Sequence, residues 1–323
     1  MPKPPSSRKR ADDRFFRLGT GFFALLVVIL VAGIAWELYR NSRLSIEKFG
    51  FNFWRTTVWD PVAGTFGALP FIWGTLYSAF AAIVLSTPIA LGIAIFLSEL
   101  SPRFLRTPLT FLTELLAAIP SIVYGLWGIF VLVPLVRQLE VHTPDWMKRL
   151  PLFSGPPLGV GMLAASLILA VMVIPFTSSV AREVLKAVPA TQREAAYALG
   201  ATRWEAIQAA IRYGRTGIMG AIMLGFGRAI GETMAVTMVI GNNPRISVSL
   251  FAAQHTMAAV IANEFTEADT DIYLNALIEI GLVLFLITLV INALSRLLIW
   301  SVTREAKVKE TKRVLPAATE SAA

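Results

Sequence analysis

The sequence predicts an all-α protein, a polytopic helical bundle that crosses the membrane six times and keeps both termini in the cytosol. Three observations carry this reading. Hydrophobic residues make up 55% of the chain and charged residues 15%, and mean hydropathy is +0.64, whereas a soluble domain carries about 25% charged residues. Six apolar runs each reach the ~20 residues that a bilayer requires. Lys and Arg gather on alternate sides of those runs, as orientation by the positive-inside rule demands.

The elements follow in order. Residues 1–14 are polar, basic and rich in Pro and Ser, the composition of a disordered cytosolic tail. The apolar run at 15–38 is longer than the ~7–15 residues of a signal-peptide core, so it reads as a retained first span. Residues 39–70 form an extracytoplasmic segment whose Phe49, Phe51, Phe53, Trp54 and Trp59 suit an interfacial or docking surface. Residues 71–301 are the transmembrane core. Its five runs are Phe71–Leu97, Leu109–Val136, Leu158–Val180, Gly217–Ile240 and Leu274–Ser301. Pro88, Pro120, Pro134 and Pro175 fall inside them, which a membrane bundle tolerates because neighbouring groups satisfy the freed carbonyls. Residues 302–323 are a polar cytosolic tail. With this topology 19 Lys and Arg lie inside and eight outside. That bias accounts for the net charge of +8 without any nucleic-acid partner.

Several function classes drop out. The chain has no Cys, which removes disulfides, Cys-ligated metals and Cys nucleophiles. Its two His, His142 and His255, lie far apart and outside the runs, so no metal site, resident cofactor or intramembrane catalytic constellation is expected. No Gly-x4-Gly-Lys-Ser/Thr loop occurs, so ATP hydrolysis would fall to another protein. The chain reads as a non-enzyme.

The inside loop at 181–215 is far longer than a connection between two spans needs. Thr191 reads as a helix N-cap with Glu194 at capping-box spacing. Gly200 breaks the helix, and a second one over Trp204–Ala210 completes a hairpin. Small Ala195 and Ala196 permit close packing, while Glu194 and Arg203 supply polar anchors. The loop is therefore read as a docking surface.

The fifth run contains Arg228 and Glu232, spaced i, i+4, followed by Thr233. An Arg at the centre of a lipid-facing helix costs about 2.5–3.5 kcal/mol on insertion scales, so this face should look into the bundle or a wet pathway. The spacing lets the two charges pair on one face. Guanidinium offers a planar fork of donors matched to oxyanions. Arg228 is thus a candidate contact for an anion in transit, with Glu232 holding it between events and Thr233 on the same path. The plainer reading is a structural ion pair between helices. Gly225, Gly227 and Gly231 keep the backbone accessible for close packing or for a narrow path. Glu114 and Glu279, also in apolar runs, read as structural.

Two sets of motifs resemble a known family. Glu194-Ala195-Ala196, then three residues, then Gly200 resembles the coupling loop of ABC importer permeases of the type I, MetI-like fold. Where that pattern ends in Ile-x-Leu-Pro, this chain reads Ala210-Ile211-Arg212-Tyr213 without Pro. The stretches Ala68–Thr75, Glu114–Gly125 and Gly227–Val236 resemble phosphate-specific permeases of the PstC type. The resemblance implies a permease subunit of a bacterial inner membrane that imports inorganic phosphate. Its implied partners are a PstA-like sister permease, two PstB-like ATPase subunits and a PstS-like extracytoplasmic phosphate-binding protein. It implies ATPase coupling through Glu194, Ala195, Ala196, Gly200 and Arg203, and a phosphate pathway at Arg228, Glu232 and Thr233. The residues alone leave two alternatives open: another oxyanion such as sulfate or molybdate, and an autonomous secondary transporter or channel.

Overall fold

The computed structural model of the chain describes residues 7–314. Helix α1 (Ser7–Asn41) starts inside the expected tail, so residues 7–14 are helical, while residues 1–6 lie outside the described part. The apolar stretch of α1 is left uncovered by the rest of the chain, as suits a helix bathed in lipid. The segment that follows holds α2 (Arg43–Phe49), a 3-10 turn at Gly50–Trp54 and a tight loop closed by the bridge Asp60–Thr65. Its aromatic residues mostly do not face outward for docking. Phe53 and Phe66 are buried in a core with Phe71, Met257 and Leu277. Phe66 stacks on Tyr273 at 5.2 Å, and the Trp59 indole donates to Glu264 Oε2 at 2.8 Å. Only Phe51 of the expected surface stays well exposed.

Helix α3 (Leu69–Ile95) opens with Pro70 in its first turn, where a missing N–H costs nothing, and ends in a π turn at Phe96–Leu100. The expected single span Leu109–Val136 is broken. Helix α4 (Arg103–Ala118) stops because Pro120 forces Ile119 into an extended conformation. Helix α5 (Ser121–Trp127), a π turn at Gly128–Leu132 and α6 (Val133–His142) then form the crossing. No residue of α4 is buried. After the short α7 (Asp145–Lys148), helix α8 (Met162–Lys186) runs through the centre of the bundle. It packs most extensively on α3, with Ala79, Ala82, Ala164 and Ala165 among the core residues. Small side chains let backbones approach where lipid offers no hydrophobic drive between helices.

Beyond α8 come α9 (Ala190–Ala198), α10 (Arg203–Ile230), α11 (Met234–Val239), α12 (Met257–Glu264) and α13 (Asp271–Val314). Helix α13 extends into the expected C-terminal tail, of which residues 315–323 lie outside the described part. The expected fifth span Gly217–Ile240 is likewise not one helix, since α10 ends at Ile230 and α11 begins at Met234. Among the described residues five helices are long and apolar enough to cross a membrane, with bounds Phe16–Asn41, Leu69–Leu100, Ser121–His142, Met162–Lys186 and Asp271–Leu297.

At the end of the bundle near α2, the loop after α11 folds back over the start of α8. Met162 N–H donates to Ala252 carbonyl at 3.0 Å and Leu163 N–H to Leu250 carbonyl at 2.7 Å. These bonds occupy donors that a helix start leaves free. The same loop presses on α3, where a Cβ on Gly74 would lie 2.0 Å from the His255 carbonyl oxygen. Nearby, Thr75 Oγ1 accepts from Met257 N–H at 2.9 Å. Gly74→Ala must therefore push the loop off α3, at roughly 1–3 kcal/mol. Thermal unfolding in detergent should fall by several degrees for Gly74→Ala and not fall for Gly92→Ala, whose Cβ meets nothing within 4 Å.

Candidate functional site

The break between α10 and α11 separates the two charges that the sequence placed together. Gly231 N–H still bonds back to Gly227 carbonyl at 3.3 Å, and Glu232 N–H to Ala229 carbonyl at 3.4 Å. Thr233 then leaves helical geometry at φ −110°, ψ −67°. Past that point Glu232 Oε1 accepts from Ala235 N–H at 3.4 Å, on the first turn of α11. No ion pair joins Arg228 to Glu232 among the described residues. Arg228 is exposed, and its guanidinium lies 5.3 Å from the centroid of the Phe176 ring on α8. The Tyr124 phenol of α5 is near enough to feel that charge. Thr233 is half-buried beside Glu232, and its hydroxyl donates to Gly231 carbonyl.

Of the glycines around the break, Gly225 is required for packing, whereas a Cβ on Gly227 or Gly231 would meet nothing closer than 3.8 Å. A Cβ on Gly225 would stand 2.4 Å from Thr177 Oγ1 and 3.0 Å from Val173 Cγ1, so α10 touches α8 through bare backbone. Across the break, α11 seats against α5 in the same way. A Cβ on Gly125 would meet Met238 Sδ at 2.5 Å and Ala235 Cα at 3.1 Å.

The connection from α8 to α10 is ordered, with two departures from expectation. Helix α9 begins at Ala190 after Pro189, and Thr191 does not cap it. The capping box sits further on, at Thr202 and Glu205, where Thr202 N–H donates to Glu205 Oε2 at 2.7 Å. Hydrogen bonds from Thr202 hold the Glu205 carboxyl below the usual range. The second helix of the expected hairpin is not separate. With no Pro at 210–213, it continues unbroken as α10. Gly200 makes the turn at φ +81°, a region that favours glycine. Glu194, Ala195 and Arg203 are exposed and Ala196 half-buried. Leu199 is 90% exposed, and Tyr197 and Trp204 stand out beside it.

Charged residues hold this connection in place, and Arg193, Glu99 and Arg182 among them lie outside the motif reading. Arg193 on α9 forks onto Glu99 of the π turn, its Nε donating to Oε2 at 3.1 Å while Nη2 reaches Oε1. It also donates to the Val188 and Leu185 carbonyls. Arg203 Nη2 donates to the Glu99 carbonyl at 2.8 Å. Arg182, 4% exposed, ties α4 to α8 through Glu114 at 3.0 Å, and also contacts Thr110 and Glu183. Glu114 is thus structural, as expected. The available signal was Glu99 itself, a lone acid just past the inside end of an apolar run whose neighbours on that side are basic.

Residues 86–304 match the family described as binding-protein-dependent transport system inner membrane component. The phosphate transport system permease protein PstC of Mesorhizobium japonicum is 46% identical over 92% of this chain and 94% of its own. The protein of the same name from Pasteurella multocida is 47% identical over 91% and 93%. That from Methanocaldococcus jannaschii, described as probable, is 36% identical over 88% and 92%. Among solved structures, a chain of the MetNI methionine ABC transporter in inward-facing conformation superposes with a TM-score of 0.54. That alignment covers 72% of this chain and 94% of the other, at 17% identity, and it speaks to the fold alone.

Glu99→Gln keeps the shape of the clamp and removes its charge. Amide hydrogen exchange across residues 190–203 should quicken roughly tenfold, the effect of losing one charge-assisted contact, while exchange in the centre of α8 stays unchanged.

Proposed function

Since the chain belongs to the family of binding-protein-dependent transport system inner membrane components and aligns nearly end to end with PstC permeases, we propose that it is the permease subunit through which an ABC importer carries inorganic phosphate across the bacterial inner membrane. The relatives' names favour phosphate over sulfate or molybdate. Membership of a binding-protein-dependent family weighs against an autonomous transporter or channel. The chain does no chemistry in this reading and carries no resident cofactor. ATP is bound by two PstB-like subunits, a PstA-like permease completes the pathway, and a PstS-like protein delivers phosphate from outside. Both termini are cytosolic. The upper part of α10, together with α11, makes the sixth crossing that no single helix makes.

The observation that carries the phosphate pathway is the position of Arg228. It is an exposed guanidinium on a glycine-lined helix that ends two residues later, with no carboxylate paired to it among the described residues. Its N–H edges are available to a passing phosphate. Glu232 and Thr233 shape the path at the break, with Glu232 adding the negative charge that keeps binding weak enough for release. Exposed Glu194, Ala195, Arg203 and the turn at Gly200, with half-buried Ala196, form the face that the ATPase grips. Movement of the ATPases would reach the break directly, because α10 is one continuous helix from Arg203 to Ile230.

Two experiments test this. Phosphate uptake by a strain complemented with Arg228→Gln should fall tenfold or more, the scale of one lost charged contact. Uptake at the normal rate would remove Arg228 from the pathway. A Glu194→Lys, Gly200→Asp double variant should lose the co-purifying ATPase while remaining in the membrane fraction. Undiminished ATPase recovery would exclude this face from coupling.

A further inference from the structure

Glu279 lies on α13 eight residues from its start, packed under α2. The residue is 3% exposed, and its Oε2 has no hydrogen-bond partner. Ser45 of α2 is beside it, its buried hydroxyl close to the carboxylate but without a hydrogen bond of normal geometry. A buried carboxylate oxygen left open is costly, and such a group marks a place where a counter-charge or donor belongs. Glu279 lines a pocket of about 310 Å³ whose other walls include Tyr39 from the end of α1 and Phe51 and Trp54 from the 3-10 turn. Three aromatic residues around one carboxylate form a receptor for an ammonium group, combining attraction to ring faces with a charged acceptor. Arg55 lies 4.7 Å from the centroid of the Phe51 ring, so a cation stands next to one of the pocket's lining residues.

We propose that this pocket binds the headgroup of a phospholipid with a primary ammonium. The ammonium enters the aromatic walls to meet Glu279, and the lipid phosphate faces Arg55. Three features favour a lipid over a soluble amine. The pocket is lined by Tyr39 of α1 and by Glu279, Leu282 and Val283 of α13, two apolar helices long enough to span the bilayer. Tyr39 and Trp54 are the residue types that settle at headgroup level. The paired charges, acid inside and guanidinium at the wall, match a zwitterion. Bound lipid would also fasten α1, which otherwise meets the bundle chiefly through α13 and α2.

The test uses the full chain in lipid nanodiscs, with retained lipid read by native mass spectrometry. From an equal mixture of phosphatidylethanolamine and its N-acetylated form, which has no cation, the unmodified protein should retain the ammonium lipid roughly tenfold more. Glu279→Gln should bring the two to parity. Millimolar free ethanolamine should displace neither. Equal retention by the unmodified protein, or selectivity unchanged in Glu279→Gln, would overturn the site. Displacement by ethanolamine would overturn the lipid assignment. None of these readouts depends on phosphate transport.

Discussion

A backbone amide or carbonyl freed inside an apolar bundle has no water to turn to, and leaving it unpaired costs several kcal/mol. The interruptions in this chain are built around that constraint. At the α4–α5 break the Leu116 carbonyl, released by the turn into Pro120, accepts from both Ile119 N–H at 3.4 Å and the Tyr124 hydroxyl at 2.8 Å. At the start of α8 the returning loop supplies carbonyls. At the α10–α11 break one amide of the new helix takes Glu232 as its acceptor. That last solution leaves Glu232 bonded to the Ala235 amide rather than ion-paired with Arg228. The pair suggested by i, i+4 spacing does not form because the helix that would have aligned it ends at Ile230.

Arg182, Arg193 and Arg228 then divide by what holds them. Arg182 is nearly buried, but its carboxylates reach the surface, with side chains more than half exposed. The cluster thus pays desolvation on one side only, the situation in which an ion pair is least penalised. Arg193 uses its fork in two parallel contacts to Glu99 and spends its remaining donors on carbonyls. Both are occupied and rigid. Between them they tie α4 to α8 and α9 to the turn after α3, at the base of the connection that carries the exposed Leu199. Arg228 is exposed and bears on a ring instead.

Hydropathy and Lys/Arg placement made the helical class, the membrane setting and the approximate position of four crossings legible, because long apolar segments have few alternatives. The two runs that misled, Leu109–Val136 and Gly217–Ile240, are those where Pro120 and Gly231 end helices within apolar sequence. Hydropathy counts such residues as it counts their neighbours and is blind to backbone direction. The aromatic segment at 39–70 misled for a related reason. Phe53 and Trp59 look the same on a docking face and in a core, and only the distant partners Tyr273 and Glu264 decide between them. The connecting loop was legible through its small residues and Gly200, whose φ of +81° is what glycine at such a turn provides. Its clamp was not, since Arg193 and Glu99 are 94 residues apart.

How Arg228 is held bears on what it can do. A guanidinium over an aromatic face gains attraction from the ring quadrupole and leaves its five N–H donors, which lie in the guanidinium plane, free at the edge. A carboxylate partner would occupy those edges, and an anion would then have to displace it in a medium where charge separation is expensive. The Phe176 contact orients the side chain without competing for the donors. Glu232 lies within the break, ahead of α11, and in the proposed pathway its charge would lower affinity for an anion without filling the site. A path for an oxyanion needs both properties, donors ready on arrival and nothing so complementary that the anion stays. Under the proposed pathway, the break after Ile230 would provide them with two residues that a continuous helix would have aligned on one face.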